Sequence, residues 1–136
     1  MLSANEITLV KNTWNLITPV SQQMGEQFYI HLFDEHPELK PLFKSSPKDQ
    51  GMKLMFMLSY LVHRLDKENE LRDEIKKLAM RHNNYKAKTE HYEMIGATLI
   101  WSLKNNLGNK WTKEIETAWK NAYKFISDLM IEGQKN

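Results

Sequence analysis

Ser46-Pro47-Lys48-Asp49-Gln50-Gly51-Met52-Lys53-Leu54-Met55-Phe56-Met57-Leu58-Ser59-Tyr60-Leu61-Val62-His63-Arg64-Leu65 is the stretch on which the fold turns. Its opening is a helix start: a serine N-cap, proline at the first helical position, and an aspartate near the positive end of the helix dipole. Gln50, Leu54, Met57, Leu58, Leu61 and Leu65 then fall on one face at helical spacing, which predicts a helix running to about Leu65. Gly51 lies inside this pattern. Glycine costs about 1 kcal/mol against alanine within a helix, so its presence there points to a packing reason.

The same grammar extends in both directions. Upstream, Ser3 with Glu6 forms a capping box for a first helix carrying Ile7, Val10, Trp14 and Ile17 and stopping at Pro19. A second helix over about 20–35 carries Gly25, Phe28, Tyr29, Leu32 and Phe33, and His36-Pro37 ends it, because the residue before proline avoids the helical region. A short turn reaches Phe43. Downstream, after a polar link at Asp66–Glu70, Leu71, Ile75, Leu78 and His82 share one face at i, i+4, i+7 and i+11. Thr89 is the expected cap of the next helix, with Tyr92, Ile95, Gly96, Leu99 and Leu103 on its face and Gly108 at its end. Thr112 caps the last, whose stripe is Ile115, Ala118, Trp119, Ala122, Ile126 and Leu129, with a fraying Glu-Gly-Gln-Lys-Asn tail. The expectation is an all-α fold of about seven to eight helices forming a single domain over residues 1–136.

Composition narrows the function classes. The chain has 136 residues, no cysteine, and 19 Lys plus Arg against 17 Asp plus Glu, a net charge of +2 with both signs interspersed. The lack of cysteine removes disulfides, thiolate nucleophiles and Cys/His zinc sites. No basic stripe tracks a nucleic-acid backbone, so no nucleic-acid partner is expected. No run approaches the roughly 18 apolar residues of a membrane span, and no signal peptide opens the chain. The expectation is a cytoplasmic protein without a membrane partner.

Chemistry is suggested by convergence. If the helices bearing Gly25 and Gly51 cross at those glycines, their backbones approach closely and leave a cavity beside the crossing. Tyr29 and Gln50 then face that cavity from an otherwise apolar setting. Taken singly, Tyr29 reads as a core tyrosine bonded to a backbone carbonyl, Gln50 as a first-turn residue facing solvent, and His82 as a satisfied core histidine. Together they admit a flat haem between two helices, imidazole being the usual nitrogen ligand of haem iron.

Pro37 with Phe43, Gln50 followed by Lys53-Leu54, Arg81-His82, and His91-Tyr92 followed by Gly96 resemble landmarks of the globin family. The likeness is to bacterial single-domain globins and the haem domains of flavohaemoglobins, and covers essentially the whole chain. The resemblance implies a globin fold around haem b (iron protoporphyrin IX), with His82 as the iron ligand and its other ring nitrogen donating to a carbonyl near Leu78. It implies Tyr29 and Gln50 as the pair facing a bound gas. Phe28, Phe43, Leu54, Met57, Leu78, Tyr85, Tyr92 and Ile95 would line the haem, and Lys53 or Arg81 would meet a propionate. Dioxygen, nitric oxide and carbon monoxide are the implied ligands, with nitric oxide dioxygenase activity if an external reductase supplies electrons. A monomer is expected. A haem-based redox or gas sensor and a cofactor-free helical interaction module are the alternatives. One departure stands out: where the flavohaemoglobin pattern has a glutamate near the end of the last helix, this chain has Gln134, with Glu132 two residues earlier.

Overall fold

The computed structural model describes residues 2–84 and 88–134; of residues 82–84 it describes the backbone alone. Among the described residues six α-helices succeed one another: α1 (Ala4–Ile17), α2 (Ser21–Glu35), α3 (Pro47–Val62), α4 (Glu68–Asn84), α5 (Thr89–Leu107) and α6 (Lys113–Gln134). Three 3-10 turns, Thr18–Val20, Pro37–Leu42 and Gly108–Lys110, join them. No strand occurs among the described residues. The number of α-helices is thus lower than the seven to eight expected. Thr18–Val20 and Pro37–Leu42 hold Pro19, Pro37 and Pro41, each lacking the N–H that a longer helix would need.

Most ends obey local chemistry. Ser3 Oγ accepts from the Glu6 N–H at 3.1 Å while Glu6 Oε1 accepts from the Ser3 N–H at 3.0 Å. Ser46 Oγ takes the Asp49 N–H at 3.2 Å, and Thr112 Oγ1 takes the Ile115 N–H at 3.1 Å. Gly108 closes α5 at φ +54°, a left-handed value that suits glycine. Three ends differ from expectation. The cap position of α5 is Lys88 rather than Thr89, and the Lys88 N–H donates to His91 Nδ1 at 3.0 Å. Helix α3 stops at Val62, with turns carrying the chain to the next helix. Helix α6 continues through Gly133 to Gln134 instead of fraying at Glu132, because that last turn is packed and bonded to its neighbours.

The core forms around two tryptophans. Trp14 and Trp119 meet at 5.9 Å between ring centroids. The indole N–H of Trp14 donates to Ser59 Oγ and that of Trp119 to Thr13 Oγ1, both at 2.8 Å, so α1, α3 and α6 are joined without an unpaired indole. Leu71, Ile75 and Leu78 of α4 are buried in line, as their spacing requires.

Helices α2 and α3 cross in contact. A Cβ built on Gly25 would lie 2.6 Å from the Gly51 carbonyl oxygen, and one built on Gly51 would lie 2.6 Å from the Gly25 carbonyl oxygen. The obstructing atoms are backbone on both sides and cannot swing away. Gly25→Ala or Gly51→Ala should therefore destabilise the chain by about 3 kcal/mol, the upper end of ordinary overpacking costs. Urea unfolding of each variant measures this; an unchanged midpoint would mean that the helices are not held this close.

Candidate functional site

Tyr29 stands one turn beyond Gly25 on α2, and Gln50 adjoins Gly51 on α3, so the glycine crossing determines where both side chains begin. Tyr29 is 6% exposed and sits in a group of aromatic rings. Its ring centroid lies 4.9 Å from Phe28 and 5.3 Å from Phe43, both edge-on, and 5.8 Å from Phe33. Phe43 is delivered by the 3-10 turn after α2, which explains why a proline-rich link follows that helix. Burial raises the Tyr29 pKa above the ordinary phenol value, so the hydroxyl stays protonated and able to donate. Among the described residues it has no hydrogen-bond partner. The bland reading of a core tyrosine bonded to a carbonyl is therefore not what the structure holds.

Along α3 the burial pattern is rotated from the expected face. Gly51, Met55, Leu58, Leu61 and Val62 are buried, whereas Gln50, Leu54 and Met57 are half-buried at i, i+4 and i+7. Met55 was absent from the expected stripe because Leu54-Met55-Phe56-Met57-Leu58 is apolar throughout, which makes the periodicity ambiguous. Gln50 is neither core nor fully solvated. Lys53 is exposed and reaches Ser45 Oγ at 3.5 Å.

The remaining expected site residues lie on α4 and α5, with α6 packed beside them. Leu78 and Tyr92 are both 8% exposed, Ile95 is half-buried, and Arg81 is exposed. His82 lies in the last turns of α4, but its side chain falls outside the described residues, as does Tyr85 altogether. Tyr92 donates through its hydroxyl to Gln134 Oε1 at 2.9 Å, and the Tyr123 hydroxyl donates to the Tyr92 carbonyl at 2.6 Å. Burial pushes the Tyr92 pKa up to about 12 and raises that of Tyr123. Tyr123 passes close to Gly96, where a Cβ would meet its ring at 2.6 Å. An open groove of about 600 Å³ lies between α5 and α6 beside Tyr92 and Gly96, away from Tyr29 and Gln50. Sequence reasoning had no means of finding Tyr123, since its partner is a backbone carbonyl 31 residues away.

The family model described as Globin matches residues 26–130. This chain belongs to the globin family. The globin is 31% identical over 143 aligned positions to a flavohaemoprotein of Bacillus subtilis, covering 100% of this chain and 35% of that protein. It is 26% identical to the flavohaemoprotein of Vibrio cholerae, covering 97% of this chain and 34% of the relative. The chain thus spans about a third of the length of these curated relatives. Among solved structures, a bacterial globin from Campylobacter jejuni superposes with a TM-score of 0.85 at 24% identity, covering 98% of this chain and 96% of that one. An engineered carbene transferase from Rhodothermus marinus, described as a candidate nitric oxide dioxygenase, gives 0.89 at 25% identity, covering 99% and 94%.

As a globin domain of this kind, the chain takes haem b as its cofactor. The residues fit that group: a buried tyrosine whose hydroxyl bonds to none of the described residues, aromatic rings beside it, and a half-buried line along α3 adjoining the glycine crossing.

Two outcomes are expected from the tyrosines. Because its hydroxyl bonds to none of the described residues, Tyr29→Phe should leave the unfolding free energy of the cofactor-free chain within about 1 kcal/mol of the parent, or raise it. A loss of twice that size would reveal a bond the geometry lacks. Tyr29, Tyr92 and Tyr123 hold their protons more tightly folded than unfolded, so their contribution to stability is complete below about pH 10 and is lost as pH rises beyond it. Phenolate absorbance and helical circular dichroism followed together should change together for these three groups; ionisation well before unfolding would contradict their burial.

Proposed function

We propose that this globin binds dioxygen reversibly, with His82 on one side of the haem and Tyr29 and Gln50 on the other. When bound, haem iron supplies the reversible bond to dioxygen, nitric oxide or carbon monoxide. The observation that supports the reading is Tyr29: a buried residue whose protonated hydroxyl bonds to none of the described residues, it is a donor available to a ligand. Gln50, half-buried next to the crossing, adds an amide N–H donor. Dioxygen draws electron density toward its outer atom on binding, and each charge-assisted bond to it contributes roughly 1.5–3 kcal/mol. Leu54 and Met57 form the apolar wall that keeps water from competing for these donors, while Phe28 and Phe43 pack around Tyr29. In this reading Leu78, Tyr92 and Ile95 line the His82 side of the haem, Tyr85, outside the described residues, is assigned there by the family resemblance, and Lys53 or Arg81, both exposed, pairs with a haem carboxylate.

The same donors orient dioxygen for attack by nitric oxide. One dioxygen, one nitric oxide and one electron yield nitrate, so turnover requires a reductase partner to return the iron to its ferrous state. The flavohaemoprotein relatives support this reading. Residues 1–136 act as one domain in it, as a cytoplasmic monomer. Among the described residues no helix is long and apolar enough to cross a membrane.

Absorption spectra of the purified chain, reduced and then exposed to air and to carbon monoxide, test the reading. A deoxy haem spectrum converting to a stable oxy form is expected, and His82→Ala should lose haem. Tyr29→Phe and Gln50→Ala should each speed dioxygen release by about 10- to 100-fold, the rate equivalent of one such bond. Release rates that match the parent in both variants would overturn the proposed distal pair. Failure of the parent to take up haem on reconstitution would overturn the haem assignment itself.

A further inference from the structure

Helix α3 presents to solvent a face that its own chain leaves uncovered. Phe56 is 77% exposed and Met52, one turn earlier, is 50% exposed. At about 100° per residue, Lys48, Met52, Phe56 and Lys53 occupy one sector of the helix with Phe56 near its middle, and the half-buried Gln50, Leu54 and Met57 begin past the Lys53 edge. The surroundings are basic. Residues 40–64 hold Lys40, Lys44, Lys48, Lys53 and Arg64 against a single acid, Asp49, itself within the sector, so this segment carries +4 in a chain whose total is +2. All four lysines are exposed, and none makes an ion pair among the described residues. Glu26 of α2 lines a hollow with Lys48 without pairing to it. Arg64 lies over the ring of Tyr60, 3.5 Å from its centroid, which keeps a further positive charge on this side.

We infer that this face, with the link carrying Lys40 and Lys44 before it, is where the reductase docks, and that the docking side of that partner is acidic around an apolar contact for Phe56. The inference rests on the function proposed above, which requires an outside electron donor. Large exposed apolar side chains rimmed by charge mark contact surfaces. The unpaired lysines steer an acidic partner toward this side and raise its encounter rate by roughly 10- to 1000-fold, while a small contact around Phe56 keeps the complex short-lived, as electron-transfer partners need. Position favours an electron donor over a lipid surface. The face borders the line of α3 assigned to the haem, and Lys44 follows Phe43, whose ring lies 5.3 Å from that of Tyr29. A flavin-bearing donor docked there is oxidised by one electron and the ferric iron is reduced by it.

The probe is flavodoxin, an acidic flavin protein, used with the haem-loaded full chain. Reduced flavodoxin should convert the ferric chain to the ferrous form at a rate that falls about 10-fold from low to high salt. Lys44→Glu combined with Lys48→Glu should slow it about 10-fold at low salt, and Phe56→Ser about 3-fold at either salt. These three residues lie outside the proposed haem contacts, so dioxygen release and reduction by free riboflavin hydroquinone should match the parent. Independently of electron transfer, oxidised flavodoxin should shift the backbone amide resonances of residues 44–56 in the ¹⁵N-labelled chain. Reduction by flavodoxin that ignores salt and all three substitutions, or amide shifts confined to other residues, would overturn the inference and leave the haem reading standing. Phe56-dependent binding to phosphatidylglycerol vesicles, with no amide shift from flavodoxin, would give the face to a lipid surface; Phe56-dependent dimerisation would give it to a second copy. Either overturns the inference. A parent chain that binds no haem overturns the inference and the proposed function together.

Discussion

The placement of Tyr29 and Gln50 depends on two helices touching through bare backbone. At Gly25 and Gly51 each missing side chain makes room for the other helix's peptide group, and any added Cβ would run into main-chain atoms. Helices separated by ordinary side chains sit about 8–10 Å apart between axes. Closing that distance brings the starting points of Tyr29 and Gln50 together, one turn from and next to the contact respectively. The aromatic rings of Phe28, Phe33 and Phe43 then hold the phenol, so its position follows from packing rather than from a hydrogen bond.

The other side of the site uses a different device. There the close contacts are Gly96 beneath Tyr123 and Gly133 against Ala79, and polar bonds run from Tyr123 to the Tyr92 carbonyl and from the Tyr92 hydroxyl to Gln134. Packing and hydrogen bonding act together in tying α5 and α6 to the end of α4. The asymmetry has a chemical sense. In the function proposed above, a donor for a gas is left without a protein partner, which costs stability, while groups on the iron-ligand side are useful only when their orientation is held. The tryptophan pair joining α1, α3 and α6 lies apart from both and serves the scaffold, with each indole N–H satisfied.

Membership in the globin family places this chain beside the haem portions of much longer flavohaemoproteins, of which it spans about a third. The shared architecture does not by itself dictate chemistry. The side chains present decide it, among them an amide at position 134 joined to the buried phenol of Tyr92.

Features written in a few adjacent residues were legible from sequence. The capping box of Ser3 and Glu6, the Ser46-Pro47-Lys48-Asp49 start, the Thr112 cap and the Gly108 stop each depend on neighbours within one turn, and each formed as its chemistry requires. The glycine crossing was also readable, because a glycine's local cost in a helix implies a distant benefit. Burial along α3 was not: Met55 or Met57 could equally face the core, and only the neighbouring helices decided that Met55 is buried while Gln50, Leu54 and Met57 remain half-open. Nor could local propensity carry α6 past Gly133, a residue that weakens helices. The sequence determined which segments become helices and which residue types were available for a haem site. Tertiary structure alone decided that the Tyr29 hydroxyl finds no partner among the described residues and that Tyr92 finds Gln134 across 42 residues, since those outcomes depend on contacts no local pattern encodes.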